Sequence, residues 1–378
     1  MKHTILMITM LAAVAAGAQI TVTNATFPVV GDTLRTAIDD MPTGIVALTP
    51  PGGNQQWDFS SLLAGFTREQ IIRPAAEGNA AASFPEAEYF VEIANGGQNY
   101  YNATGQRIEL VGFSGEDPLG QGFQVVTRFA PPIIERRATL EFLAINQSSA
   151  ALLFPFSPDD VPGNIFDQLP VSPDSLRVRV AINRLDAVDG WGSLTIPGGV
   201  YDVLREKRTE YREVRLDAKV PILGWLDITD VALANLPVAG LGVDTIVRYY
   251  YFNDEEKEPI AIATINNEQN AVTSVEFKAN NTSTPVHNAA NPRPGIYAYP
   301  NPAMVNVRFD FVNLPEGIYK LQFFDLLGKE VLHRQYAIHG DQTEKMDVSS
   351  LRPGVYLCSV TNSKGKIVAT RRIAVVRP

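Results

Sequence analysis

A chain of 378 residues with 45% hydrophobic and 19% charged side chains has the composition of a globular protein with a sizeable core, not of a disordered one. Its formal charge of −9 is uneven: residues 19–278 hold 34 acids against 19 bases (net −15), and residues 295–378 hold 7 acids against 11 bases (net +4). An acidic body lacks the basic footprint that phosphate backbones require, which argues against a nucleic-acid partner. Cys358 is the sole cysteine, so no intramolecular disulfide can form, and its place in a predicted strand reads as a small buried hydrophobe.

The chain opens on Met1-Lys2-His3, a short basic start, followed by an apolar run over 4–16 and by Ala16-Gly17-Ala18. This is the pattern of a secretory signal peptide over residues 1–18, with an apolar run too short to span a bilayer. No other stretch reaches the ~20 apolar residues that a membrane-spanning helix needs. Short strands are then predicted at 20–24, 57–62, 70–73, 89–93, 99–103, 106–113, 124–129 and 136–145. Thr49-Pro50-Pro51-Gly52-Gly53-Asn54 reads as a turn-rich loop presenting Trp57, and 75–85 reads as loop or a single helical turn. The proline-punctuated run 154–163 suggests a subdivision of the body near 155–165.

The second half of the body is more regular. Leu176, Val178, Val180 and Ile182 alternate with Arg177, Arg179, Ala181 and Asn183, which gives a strand with one wet face. Pro197-Gly198-Gly199 predicts a hairpin turn, since glycine takes the positive φ that such turns demand. Residues 205–216 fit either period, and strand is preferred because the hairpin feeds directly into them. A short helix is expected over 230–236, then strands at 245–252, 259–265 and 272–277. The whole body, 19–278, reads as a large antiparallel β-sandwich or open barrel wall. Residues 279–294 carry Asn, Thr, Ser, Pro and Ala with almost no large apolar side chain, the composition of a linker.

Residues 295–378 predict a small β-sandwich of about seven short strands, immunoglobulin-like in size, with turns at Leu327-Gly328-Lys329, Pro353-Gly354 and Asn362-Ser363-Lys364-Gly365. Three blocks recur in order here: Tyr299-Pro300-Asn301-Pro302-Ala303, Asp325-Leu326-Leu327-Gly328-Lys329-Glu330-Val331, and Asp347-Val348-Ser349-Ser350-Leu351-Arg352-Pro353-Gly354-Val355-Tyr356. Together they resemble the type A C-terminal sorting domain of the type IX secretion system. The resemblance implies delivery across the outer membrane, by way of the periplasm, to the cell surface or medium. It also implies two partners, the secretion machinery and a surface protease that cuts within 279–294. It rests on Pro300, Asn301, Pro302, Gly328, Lys329, Asp347, Ser349, Leu351, Gly354 and Tyr356 as the sorting motif. The body run Asp189-Gly190-Trp191-Gly192 with Pro197-Gly198 and Tyr201 is similar to uncharacterised secreted proteins with the same tail, a likeness that carries no activity.

For chemistry in the body, the informative feature is an absence. No histidine and no cysteine occurs between 19 and 278, so Ser-His-Asp, Cys-His and His-based zinc chemistry are excluded there. No phosphate-binding glycine loop or nucleophile elbow is present, and no cofactor, metal ligand or catalytic residue is assigned. Two readings stand. In the first, the body is a binding or surface-structural module, with Trp57 and Trp191 as ring contacts for a glycan or another cell-surface ligand, although such rings more often fill a core. In the second, it is a carboxylate-dependent hydrolase such as a glycosidase, drawing on Asp159-Asp160, on Asp186 with Asp189, or on Asp254-Glu255-Glu256.

Overall fold

The computed structural model describes residues 19–40, 42, 49–64, 66–93, 96–117, 123–161, 166, 173–235, 240–266, 271–279, 295–299, 303, 306–312, 314–325, 328–340, 342–352 and 354–375. The predicted signal peptide, nearly all of the predicted linker, and Pro300, Asn301 and Pro302 lie outside the described residues. The fold is all-β, as expected. One antiparallel sheet, nearly closed into a barrel, forms the body, and separate small sheets form the tail.

The body strands are β1 (Thr33–Asp39), β2 (Gly52–Asp58), β3 (Phe66–Ile71), β4 (Arg73–Pro74), β5 (Tyr89–Glu92), β6 (Gln98–Ala103), β7 (Arg107–Glu116) and β8 (Gln124–Arg137). They continue with β9 (Ile145–Phe156), β10 (Ser175–Ile196), β11 (Gly199–Val220) and β12 (Gly224–Asp227). After helix α1 (Thr229–Asn235) come β13 (Gly242–Phe252), β14 (Ala261–Asn266) and β15 (Ala271–Lys278). The sheet runs β3-β1-β15-β14-β13-β11-β10-β9-β8-β7-β6-β5-β4. Its first and last members are separated in sequence by Ile72 alone, so one stretch of chain carries both ends of the sheet. Strands β9 and β10, on either side of residues 155–165, are hydrogen-bonded neighbours.

The hairpin β10–β11 is the beam of the body. Each arm is 22 residues long, on the order of 70 Å if fully extended. Its two-residue turn is Pro197-Gly198, with Gly198 at φ +92, as the glycine signal predicts. One face of the beam buries Leu176, Val178, Val180, Ile182, Val214, Leu216 and Ala218 with Ile228 and with Ala232 of α1. A bulge between Val188 and Gly190 then inverts the alternation of β10. Beyond it, Leu194 and Ile196 join Val203 and Tyr251 in a second core with Trp57 and Phe59.

Several local expectations are corrected. The predicted strand 20–24 is only an isolated bridge at Val22 followed by the 3-10 turn Asn24–Thr26. Loop is expected over 49–54 and strand over 57–62, but the strand is Gly52–Asp58, because β2 runs parallel to β10 from Gly190 to Thr195. The predicted strand 136–145 ends at Arg137 and resumes at Ile145, with an isolated bridge from Leu140 to Val22 between. Residues 33–39 also form a strand, β1, paired with β15 on one side and β3 on the other.

The tail has seven described strands: β16 (Gly295–Tyr299), β17 (Asn306–Val312), β18 (Gly317–Phe324), β19 (Glu330–Ile338), β20 (Gln342–Asp347), β21 (Gly354–Asn362) and β22 (Ile367–Val375). They make a three-stranded sheet β16-β17-β20 and a four-stranded sheet β19-β18-β21-β22. Phe309, Phe311, Phe323, Tyr319 and Cys358 share one apolar core between them. Burial pushes the Cys358 thiol pKa well above its ordinary value, which keeps it neutral and unreactive.

Candidate functional site

The motif residues of the tail make turns and anchor them. Gly328 sits at φ +80, and its N–H donates to the Asp325 carbonyl at 2.9 Å. The Asp325 side chain accepts from the Lys329 N–H at 2.9 Å, and the Asp325 N–H donates to the Lys329 carbonyl at 3.0 Å. In the third block, Asp347 Oδ1 accepts from the Ser349 N–H at 2.7 Å, and Leu351 is buried after donating to the Val348 carbonyl. The Tyr356 hydroxyl donates to the Arg352 carbonyl at 2.7 Å, pinning the segment that enters β21.

These two blocks, some twenty residues apart in sequence, meet in space. Phe324 at the end of β18 pairs with Leu357 near the start of β21, so both turns lie at the same end of the four-stranded sheet. Residues 297–375 match the family model described as the secretion system C-terminal sorting domain. The tail is a sorting domain. It directs the chain across the outer membrane to the cell surface or beyond, and the secretion machinery is its partner. The match stops short of the body, and no curated protein and no solved structure matches the chain. Among the described residues, no helix is long and apolar enough to cross a membrane.

In the body, Trp57 is 2% exposed. Its Nε1–H donates to Thr49 Oγ1 at 2.9 Å, its ring meets Tyr251 edge-on at 5.2 Å, and the Arg205 guanidinium lies 5.3 Å from the ring centre. That indole seals a core and turns no face to solvent. Trp191 is half-buried at the edge of the cluster of Val188, Leu204 and Phe252. Gly53 of β2 lies against it so closely that a Cβ there would fall 2.5 Å from the indole nitrogen.

The carboxylate candidates are spread out rather than gathered. Asp160 and Ser157 form a capping box on the 3-10 turn Pro158–Asp160, with Asp160 Oδ2 accepting from the Ser157 N–H at 3.0 Å. Asp186 binds Arg208 at 2.7 Å, whereas Asp189 binds Arg205 at 2.7 Å. Glu256 pairs with Lys278 at 2.9 Å. Lys278, Lys257 and Asp32 line a groove of about 360 Å³ where β15 leaves the sheet, and Lys257 pairs with Asp32 across it at 2.6 Å.

One buried cluster escapes the sequence reading. The apolar face of β10 continues past Ile182 into Arg184 and Asp186, and that of β11 runs from Val214 toward Glu210, Arg208 and Glu206. Register sets Arg184 opposite Glu210 and Asp186 opposite Arg208, with bonds of 2.5 Å and 2.7 Å. Glu135 of β8 lies 3.3 Å from Arg184, and the Tyr250 ring lies 4.8 Å from the Arg208 guanidinium. Arg136 donates to the Thr26 and Lys257 carbonyls at 2.9 Å and 2.7 Å. Glu206 reaches Arg208 at 3.4 Å. Burial raises the Glu206 pKa to about 7, with Arg208 opposing the shift and Asp186 adding to it. The readable signal was charges of opposite sign at period two, set where the apolar alternation of both strands breaks off.

Proposed function

We propose that residues 19–278 act outside the outer membrane as a binding or surface-structural module. In this reading, residues 1–18 admit the chain to the periplasm and residues 279–294 connect the module to its sorting domain. The observation that carries the reading is the commitment of the acids. Glycoside hydrolysis without histidine needs two carboxyl groups facing each other across a cleft, ~5–10 Å apart. Here Asp186 and Asp189 each neutralise a different arginine, Asp160 caps a turn, and Glu256 is tied to Lys278.

The face that best suits ligand recognition is the junction of β2 with the β10 bulge. Trp191 stands there against Gly53, and Asn54 and Gln56 of the same strand β2 are exposed. An indole face with neighbouring amides matches a sugar, whose apolar ring faces stack while its hydroxyls take hydrogen bonds. A glycan array on the exported protein tests this. Binding is expected to fall at least tenfold in Trp191→Ala and in the doubly substituted Asn54→Ala/Gln56→Ala chain, with the fold intact by circular dichroism. Turnover of a polysaccharide, abolished by a single carboxylate substitution, would replace this reading with the hydrolase.

A further inference from the structure

The turn joining β11 to β12 breaks two rules at once. Val220 pairs with Gly224, and between them the Leu223 N–H donates to the Pro221 carbonyl at 2.8 Å. That three-residue closure is centred on Ile222, whose φ is +69. A γ-turn with positive φ at its centre is the strained form, and a β-branched residue is the side chain least suited to it. Ile222 is also fully exposed, at 105% of its reference area, and Leu223 is 70% exposed. Turn chemistry would supply Gly, Asn or Asp at such a position. The chain instead puts two large aliphatic side chains in water on a strained backbone, with no contact of its own to compensate them.

The surroundings indicate what covers the tip. Leu226 adds a third exposed aliphatic side chain on the same hairpin. Trp225 stands at its shoulder, half-buried, with the Arg177 guanidinium 4.3 Å from the ring centre, and exposed Lys219 pairs with it across the strands. Asp217, the nearest buried acid, is already bound by Arg177 and Arg179 at 2.5 Å and 2.7 Å. Aliphatic residues at a convex tip, an indole just behind them and cations flanking the indole match the layering of a bilayer interface. A protein pocket would require no such layering. The sorting domain delivers the chain to the side of the outer membrane where such a surface is at hand.

We propose that the β11–β12 tip, Ile222 and Leu223 with Trp225 behind them, inserts into a lipid bilayer surface. Attachment is driven by apolar burial and is reversible. The net charge of −15 over residues 19–278 opposes approach to an anionic membrane, so zwitterionic lipid suffices. The contact is separate from the Trp191 face.

The test is sedimentation of the exported protein with vesicles of phosphatidylcholine, alone and mixed with phosphatidylglycerol. Wild type is expected to sediment with phosphatidylcholine and more weakly with the anionic mixture, and the doubly substituted Ile222→Asn/Leu223→Ser chain to lose on the order of a hundredfold in partition. Asn accepts the positive φ, so this variant should melt no lower than wild type. A second readout is quenching by brominated lipid in the Trp191→Phe chain, where Trp225 is the one tryptophan outside the core because Trp57 is buried. Three outcomes overturn the proposal: wild type left in the supernatant with both vesicle types, equal sedimentation of the variant, or a concentration-dependent dimer that the double substitution abolishes in the absence of lipid.

Discussion

Glu206 is a buried side chain whose charge state bears on the stability of the body. It is buried on β11 beside Arg208 and Asp186, and its pKa rises from 4.5 to about 7 on folding. Between these values the folded chain holds a proton that the unfolded chain releases, so stability falls as pH rises through the window and levels off above it. Glu206→Gln should flatten that dependence and stabilise the protein above pH 7, by on the order of a few kcal/mol. Melting curves of the two proteins from pH 5 to 8 check this, with parallel slopes as the contrary result. Trp57 teaches a different lesson at the same scale. A tryptophan beside glycines and an Asp fits a loop ring or a core side chain, and its position opposite Leu194 makes it the latter.

Among the elements, β10 and its Pro-Gly turn were plain in the sequence, whereas residues 205–216 of β11 fit either period and are strand because they pair with β10 and β13. Strand β2 was not plain, because Gly-Gly-Asn-Gln-Gln-Trp-Asp carries no apolar alternation and little β propensity. What holds β2 is a parallel pairing with β10, made possible where Gly192 meets Gln55. A Cβ on Gly192 would fall 2.0 Å from the Gln55 carbonyl oxygen. Gly192→Ala should therefore push β2 away and lower stability by about 1–3 kcal/mol, read as a shifted urea midpoint with an unchanged slope. An unshifted midpoint would mean that β2 does not depend on that close approach. The interior charges were hidden for a related reason: a strand pattern read as wet or apolar has no place for Arg184, Asp186 and Arg208 on the buried face.

At the scale of the molecule, address and module are carried by different sheets. The sorting domain was legible because its turns demand particular residues: Gly328 at positive φ, Asp347 for the Ser349 N–H, and Tyr356 for the Arg352 carbonyl. The body has no such signature, since packing and ion pairs admit many sequences. The two parts touch through Arg308, whose guanidinium binds both oxygens of Glu116 at 2.8 Å, a contact in keeping with their opposite net charges. The most direct measurement is fractionation of cells making the chain without residues 295–378. Because the sheet of the body and its cores involve none of those residues, the truncated chain should accumulate folded in the periplasm and be absent from the surface and the medium. Its appearance outside the outer membrane at the level of the full chain would contradict the account.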